Sequence, residues 1–195
     1  MPTESAFDIE RHDAADVPEL RDDLLGVYAA ANAERLGHPF FQPDAFWRRL
    51  VEHHAMTADF MLVLGRADGM AAGFAYGSPR ATPADIWAMV RQALPEVAAN
   101  DDTEPIYILR EIAVHPGFQG RGLGHLLQDA LLTGRLERIA QLLVLPDNLG
   151  AKRAYYSWGW RDIGPRQPLP ESPVGDAMVR VLRETGGPPG KVPTA

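Results

Sequence analysis

The sequence has 195 residues, with 19 Lys and Arg against 26 Asp and Glu, a formal net charge of −7. That length suits one domain with a core of its own, and the acidic balance disfavours nucleic acid and anionic lipid as partners. There is no cysteine, which excludes a disulfide framework, a thiolate zinc site and a cysteine nucleophile. No apolar run approaches the ~20 residues needed to span a bilayer. Residues 1–5 lack the basic-then-apolar pattern of a secretion signal. The expectation is a cytoplasmic protein with no membrane partner and no metal, folded as one domain over residues 1–184.

In chain order, Phe7-Asp8-Ile9-Glu10 alternates apolar and polar, as a half-buried strand does. Asp16 and Glu19 have capping-box spacing, with Pro18 in the first turn, ahead of an apolar stripe at Leu20, Leu24, Val27, Tyr28 and Ala31. Gly37-His38-Pro39 ends that helix. Gln42-Pro43-Asp44 starts another, whose buried side is Phe46, Trp47, Leu50 and Val51. Residues 60–64 and 70–76 read as two strands of a hairpin joined by the tight-turn pair Asp68-Gly69. Gly73, inside the second strand, either weakens pairing or admits another backbone closely.

Residues 81–105 read as an insertion. Thr82-Pro83 opens a helix through Ile86, Trp87, Val90 and Leu94, limited by Pro95. The acidic end, with Glu96, Asp101, Asp102 and Glu104, is either a flap or a solvated linker, and the linker is the preferred reading. Residues 106–114 form a strand. The next helix places Leu123, Leu126, Leu127, Ala130 and Leu131 on its core side. Residues 139–145 are a buried strand and 149–158 a short helix closed by Gly159. Pro165, Pro168, Pro170 and Pro173 mark a loop, 177–182 a last strand, and 185–195 a disordered tail rich in glycine and proline. The result is a mixed α/β sheet covered by helices, not a pure βαβα series.

The run Gln119-Gly120-Arg121-Gly122-Leu123-Gly124 lies between a strand and a helix. Backbone N–H groups of such a turn, with the positive end of the helix dipole, favour a phosphate. It is not a nucleoside-triphosphate loop, because His125 stands where no lysine follows. A dinucleotide fingerprint belongs in an early βαβ unit with an acidic residue ~20 positions later. This turn follows a hairpin, and Glu137 comes early, at the end of a helix.

The spacing Gln119-x-x-Gly122-x-Gly124 resembles the acyl-CoA pyrophosphate loop of the GNAT family of N-acetyltransferases. Upstream, Leu109-Arg110-Glu111-Ile112-Ala113-Val114-His115-Pro116 is similar to that family's fourth strand. Downstream, Asn148-x-x-Ala151, Tyr155 and Gly159-Trp160 resemble its Asn…Ala…Tyr…Gly-Phe block, with tryptophan in place of phenylalanine. These motifs cover residues 109–160 in order; the N-terminal half matches only in its order of elements. The resemblance implies the acyl-CoA N-acyltransferase fold: a central mixed, mostly antiparallel sheet flanked by helices.

The resemblance also implies acetyl-CoA as co-substrate and a primary amine of a small molecule or peptide as acceptor. Gln119, Gly120, Arg121, Gly122, Leu123 and Gly124 would bind the pyrophosphate, the glycines letting its oxygens approach without a Cβ in the way. Arg121 either adds a phosphate contact or is a plain surface arginine. Glu111, Ile112, Ala113 and Val114 would offer backbone groups to the pantetheine amides, and an N–H at or near Val114 would polarise the thioester carbonyl. Asn148 would contact pantetheine, cap its helix, or do both.

Tyr155 is the implied general acid, since a phenol near ~10 is protonated at neutral pH and can protonate the departing thiolate. Tyr156 competes for that role, and both also suit aromatic packing. Glu111 is the candidate general base, although a free carboxylate near ~4.3 is too weak unless its pKa rises. His115, before Pro116, is a poorer base, and His53 with His54 do not share a helix face for a metal. The direct-transfer enzyme competes with a non-catalytic acyl-CoA-binding module and with another nucleotide-binding protein; the family also makes a homodimer possible.

Overall fold

The computed structural model describes residues 6–81, 83–98 and 104–183. In chain order the elements are β1 (Asp8–His12), α1 (Arg21–Ala31), α2 (Pro43–Arg49), β2 (Met61–Ala67), β3 (Met70–Arg80) and α3 (Ala84–Ala93). They continue with β4 (Ile106–Val114), α4 (Leu123–Leu132), β5 (Ile139–Val144), α5 (Leu149–Ser157), β6 (Arg161–Arg166) and β7 (Gly175–Val181). The strands hydrogen-bond in the order β1-β2-β3-β4-β5-β7-β6. The β1–β2, β2–β3, β5–β7 and β6–β7 pairs are antiparallel and β4–β5 is parallel. This is the mixed, mostly antiparallel sheet with flanking helices that the sequence implied. The chain divides into two compact units, Met1–Ser78 with Arg110–Leu131, and Pro79–Leu109 with Leu132–Ala195.

In the first unit the period-two alternation of strand side chains sorts residues by face. Leu62, Leu64, Phe74 and Tyr76 join Leu24, Val27, Tyr28, Phe46 and Leu50 of the helical segment in one buried cluster. The opposite face carries Gly65 and Gly73, and α4 packs there closely. A Cβ on Gly65 would lie 2.7 Å from Leu123 Cδ1, and one on Gly73 would lie 2.9 Å from the Ala113 carbonyl oxygen and 3.1 Å from Leu123 and Leu127. Gly73 therefore serves close backbone approach, the second of the two roles open for it. The β2–β3 hairpin turns at Asp68 and Gly69, both left-handed, with φ of 50° and 77°, as a two-residue primed turn requires.

In the second unit, Ile86, Trp87 and Val90 of α3 pack with Ile106, Ile139, Ile163, Ala177 and Val179. The Trp87 indole N–H donates to the Glu104 carbonyl at 2.8 Å. Of the acidic segment, Glu96 pairs with Arg161 at 2.6 Å and Val97 is buried, so this part is docked and not a solvated linker. Asp101 and Asp102, and the tail at 185–195, lie outside the described residues.

Three further expectations are corrected. Asp16 does not close a capping box: its backbone is helical and its side chain makes no cap bond. Pro18 at the second helical position has no N–H for it to accept. The Asp16 carboxylate instead lies 3.3 Å from His12 Nδ1. Leu126 is 39% exposed, because the buried line of α4 runs Leu123, Leu127, Leu131 at steps of four. The segment around Pro165 is a strand, β6, not a loop. It pairs with β7 alone, at the sheet edge, with a register shift between Asp162 and Gly164, and an edge tolerates a residue without an N–H.

Candidate active site

The end of β4 and the glycine turn form one continuous piece of the first unit. His115 N–H donates to the Ala72 carbonyl at 2.9 Å. Successive backbone N–H groups of an extended strand point to alternate sides, so the Val114 N–H points away from β3. Pro116–Phe118 makes a single 3-10 turn, which the His115 ring caps by accepting from Gly117 N–H. The Gln119 side chain then donates to the Val114 carbonyl at 3.0 Å. This bond ties the start of the turn to the end of the strand.

Gly120 and Gly122 are left-handed, with φ of +73° and +85°, which disfavours any L side chain. A Cβ at either position would meet nothing within 4 Å. Conformation, not internal crowding, selects glycine there, and the space beside the turn is open to a ligand. α4 begins at Leu123 directly after, so its first N–H groups face outward along the helix axis. Arg121 is exposed, with its guanidinium 5.7 Å from the Phe118 ring centre. These residues fit an anionic phosphate group.

Glu111, Ile112 and Val114 are partly exposed and Ala113 is buried. The helical segment and β3 bring polar tips into the aromatic core, and the Glu111 charge acts on two of them, Tyr28 and Tyr76. Tyr28 stacks on Phe46 with ring centres 4.0 Å apart, and Phe46 neighbours Tyr76 at 6.4 Å. His54 Nδ1 lies 3.0 Å from the Tyr76 hydroxyl. His54 ends a π-helical turn, Leu50–His54, directly after α2, a wider turn common at functional sites. Arg49 Nη1 donates to the Phe40 carbonyl at 2.9 Å, and its guanidinium lies 3.9 Å from the Phe40 ring centre.

Desolvation governs the charges here. Burial pushes the Glu111 carboxyl up to about 7, only partly opposed by the positive charge of Arg49. Glu111 thus loses the weakness that disqualified a free carboxylate as a base, and it titrates near neutrality. Burial, then the charges of Arg110, Arg49 and His53, lowers His54 to about 3, so this imidazole stays neutral. Burial and the nearby Glu111 charge raise the Tyr28 and Tyr76 phenols. Both remain hydrogen-bond donors across the physiological range.

In the second unit α5 carries the remaining expected residues. Asn148 is its N-cap, with the side-chain oxygen accepting from Ala151 N–H at 3.2 Å. Gly159 follows the helix with φ of +86°, as an αL cap requires. Tyr155 is 7% exposed, with its ring edge-on to Trp158 and Trp160 at 5.6 and 6.1 Å. Tyr156 is 50% exposed. Tyr28, Arg49 and Tyr76, whose electrostatics are tied to Glu111, and His54, beside the Tyr76 hydroxyl, were not singled out as site candidates in the sequence. Tyr28 read only as a core residue and His54 only as an unsuitable metal ligand. The available signal was a polar tip recurring at apolar-stripe positions.

The fold and this strand–turn–helix define a class. The chain belongs to the acetyltransferase (GNAT) family, whose model matches residues 27–160. An acetyltransferase of that family from Streptococcus agalactiae 2603 superposes with a TM-score of 0.64 at 16% identity, over 90% of this chain and 96% of the other. The ribosomal-protein-S18-alanine N-acetyltransferase from Escherichia coli gives 0.57 at 18% identity, over 92% and 96%. An aminoglycoside N-acetyltransferase, AAC(6')-Iy, in complex with CoA, gives 0.56 at 23% identity, over 82% and 90%. At these identities the likeness is one of fold. A search of curated protein sequences returns no match. Among the described residues no helix is long and apolar enough to cross a membrane.

Proposed function

We propose that this protein transfers the acetyl group of acetyl-CoA to a primary amine by direct attack within a ternary complex. The observation that carries this reading is the pair of left-handed glycines, Gly120 and Gly122, at the mouth of α4 with open space beside them. They follow the strand that bears Glu111, whose carboxyl is raised to about 7. One end of the piece suits a pyrophosphate and the other a base.

In this reading the N–H groups of residues 119–124 hold the pyrophosphate. The Val114 N–H, turned away from β3, donates to the thioester oxygen as negative charge develops on it. Glu111, directly or through one water, takes a proton from the acceptor ammonium. The freed nitrogen attacks the carbonyl carbon, the N–C bond forms and the C–S bond breaks. Tyr155 supplies the proton that the departing thiolate takes up, the nitrogen's second proton leaves through solvent and so restores the phenol, and Asn148 orients the pantetheine with what its cap bond leaves free. The chain has no cysteine, in keeping with transfer that needs no covalent enzyme intermediate. A module that only bound acyl-CoA would have no use for a carboxylate held near neutrality.

The test is release of free thiol from acetyl-CoA with a panel of amines, run on the native protein and on Gly122→Glu. Amine-dependent thiol release, absent in the variant, supports the transfer. Selective acetyl-CoA binding with no release for any amine supports the binding module instead.

A further inference from the structure

Within the second unit, α3 and the edge strand β6 flank an open cleft of about 590 Å³, a volume in the range of small-molecule sites. Met89 and Ala93 line it from the helix, and Ile163, Gly164 and Pro165 from the strand. Gly164 has a φ of +112°, which disfavours an L side chain, and a Cβ there would stand 3.8 Å from Met89 Cε. Glycine at this position keeps the middle of the cleft open. The bend that puts it there is held by the Asp162 carboxylate, which accepts the Gly164 N–H at 2.7 Å.

One end of the cleft is positive. Arg166 follows Pro165 directly, and Asp85 lies one helical turn before Met89 on the same face of α3. Arg166 Nη2 is 2.7 Å from Asp85 Oδ2, and Arg80 Nη2 is 2.8 Å from Asp85 Oδ1. Arg80 Nη1 also donates to Oδ2, at 3.3 Å. Two guanidinium groups thus meet on one carboxylate, and among the described residues neither pairs with another acid. Asp85 occupies only a minority of their N–H donors, five on each guanidinium. Where arginine ties elements together elsewhere, acids match or outnumber it: Arg161 pairs with Glu96, and Arg66 with both Glu10 and Asp23. At Asp85 the ratio is reversed, in a chain whose net charge is −7. The other end of the cleft carries Asp162.

We propose that this cleft is a ligand site in its own right, for a small amphiphilic monocarboxylate whose carboxylate lies on Arg80 and Arg166 and whose apolar body lies along Met89, Ile163 and Pro165. A single unanswered positive charge matches a monoanion better than a phosphate monoester, which carries close to two negative charges. The planar guanidinium forks suit the two oxygens of a carboxylate. Asp162 repels that head group from the far end and so sets the direction of the ligand. From Asp85 to Ala93 the helix rises about 12 Å, which bounds the length of the apolar body. The site is built from residues of the second unit alone and does not depend on the acetyl-transfer reading.

The experiment is a calorimetric titration of the full chain with octanoate, acetate and octylamine. Octanoate carries head and tail, acetate the head alone, and octylamine the tail with the opposite charge. The expected result is saturable binding of one octanoate per chain, with acetate and octylamine each weaker by about tenfold or more. Arg166→Gln should weaken octanoate by about ten- to a hundredfold through loss of a charge-assisted contact, and Arg166→Lys should partly restore it. Ala93→Trp, at an exposed position on the cleft wall, fills the space for the tail and should weaken octanoate with both arginines intact. If Arg166→Gln does not fold, the ligand series and Ala93→Trp still decide. Octanoate binding should persist with acetyl-CoA at saturation. The proposal is overturned by absence of octanoate binding, by acetate or octylamine bound as tightly, or by an affinity that neither Arg166→Gln nor Ala93→Trp moves. Displacement of octanoate by acetyl-CoA would place it in the acyl-CoA site and overturn the proposal as well; each of these results leaves acetyl transfer standing.

Discussion

The two units bury their interiors on different terms. In the second unit, Ile86, Val90, Ile139, Ile163 and Val179 line an apolar cluster. Its charges sit in pairs around it: Arg166 with Asp85 at 2.7 Å, Arg80 with Asp85 at 2.8 Å, and Arg161 with Glu96 at 2.6 Å. In the first unit, Tyr28 and Tyr76 belong to the buried cluster itself, with His54, Arg49 and Glu111 around them. Desolvating polar groups costs stability that an apolar core does not lose. Such a cost is kept where chemistry uses it. Substitutions in the first unit's polar cluster should therefore move activity, and substitutions in the second unit's core should move stability alone.

The largest effect is expected at the turn. Gly122→Glu places a side chain and a negative charge where the pyrophosphate would lie, at a backbone φ of +85°. Acetyl-CoA affinity should drop by more than about a hundredfold, while the folded state loses only ~1–2 kcal/mol from the left-handed conformation. Calorimetry and a thermal melt read the two separately. Normal affinity in a folded Gly122→Glu protein would remove the turn from the site.

Glu111→Gln comes next. Removal of a general base should lower kcat/KM by about 10²- to 10⁴-fold. In the native protein kcat/KM should climb with pH through about 7 as Glu111 loses its proton, and that limb should vanish in the variant. Stability carries an independent sign. Because the folded-state value is raised from 4.5 to about 7, only the folded chain holds the proton between those limits. The stability this contributes is complete below 4.5 and lost as pH rises through 7. Glu111→Gln should thus match the native protein at pH ~4 and exceed it by about 3 kcal/mol at pH ~8.5. Equal melting shifts at both pH values would contradict the buried-carboxylate assignment.

Tyr155→Phe should lower turnover about tenfold or more with little change in acetyl-CoA affinity, since a positioned acid supplies a rate term and not a binding one. Tyr156→Phe, at an exposed position, should leave both unaltered. The reverse pattern would assign the acid to Tyr156. The smallest functional effect belongs to the second unit's core. Val90→Ala should cost about 1–3 kcal/mol by leaving a cavity and leave kcat/KM unchanged at temperatures where the protein is folded. A matching loss of activity would erase the distinction between the two interiors.

Features set by local chemistry were legible before the fold was known. Asp68-Gly69 marked its hairpin, Gly73 marked a close approach, and the turn at 119–124 marked its strand and helix. Asn148 showed its capping role because an N-cap is a matter of three residues. What depended on neighbours distant in the chain was hidden. Nothing in the order of residues states that Pro165 lies on a sheet edge, where a missing N–H is harmless. Nor does it state that Glu111 is desolvated enough to titrate near neutrality. That property comes from burial by residues distant in the chain, so the candidate base was nameable in the sequence but its raised pKa was not.

The most direct measurement is a calorimetric titration of the folded protein with acetyl-CoA, with ATP and NAD as controls. The expected result is saturable binding of acetyl-CoA that neither control reproduces and that Gly122→Glu abolishes. Absence of acetyl-CoA binding, or equal binding of ATP or NAD, would contradict an acyl-CoA site at the turn following β4.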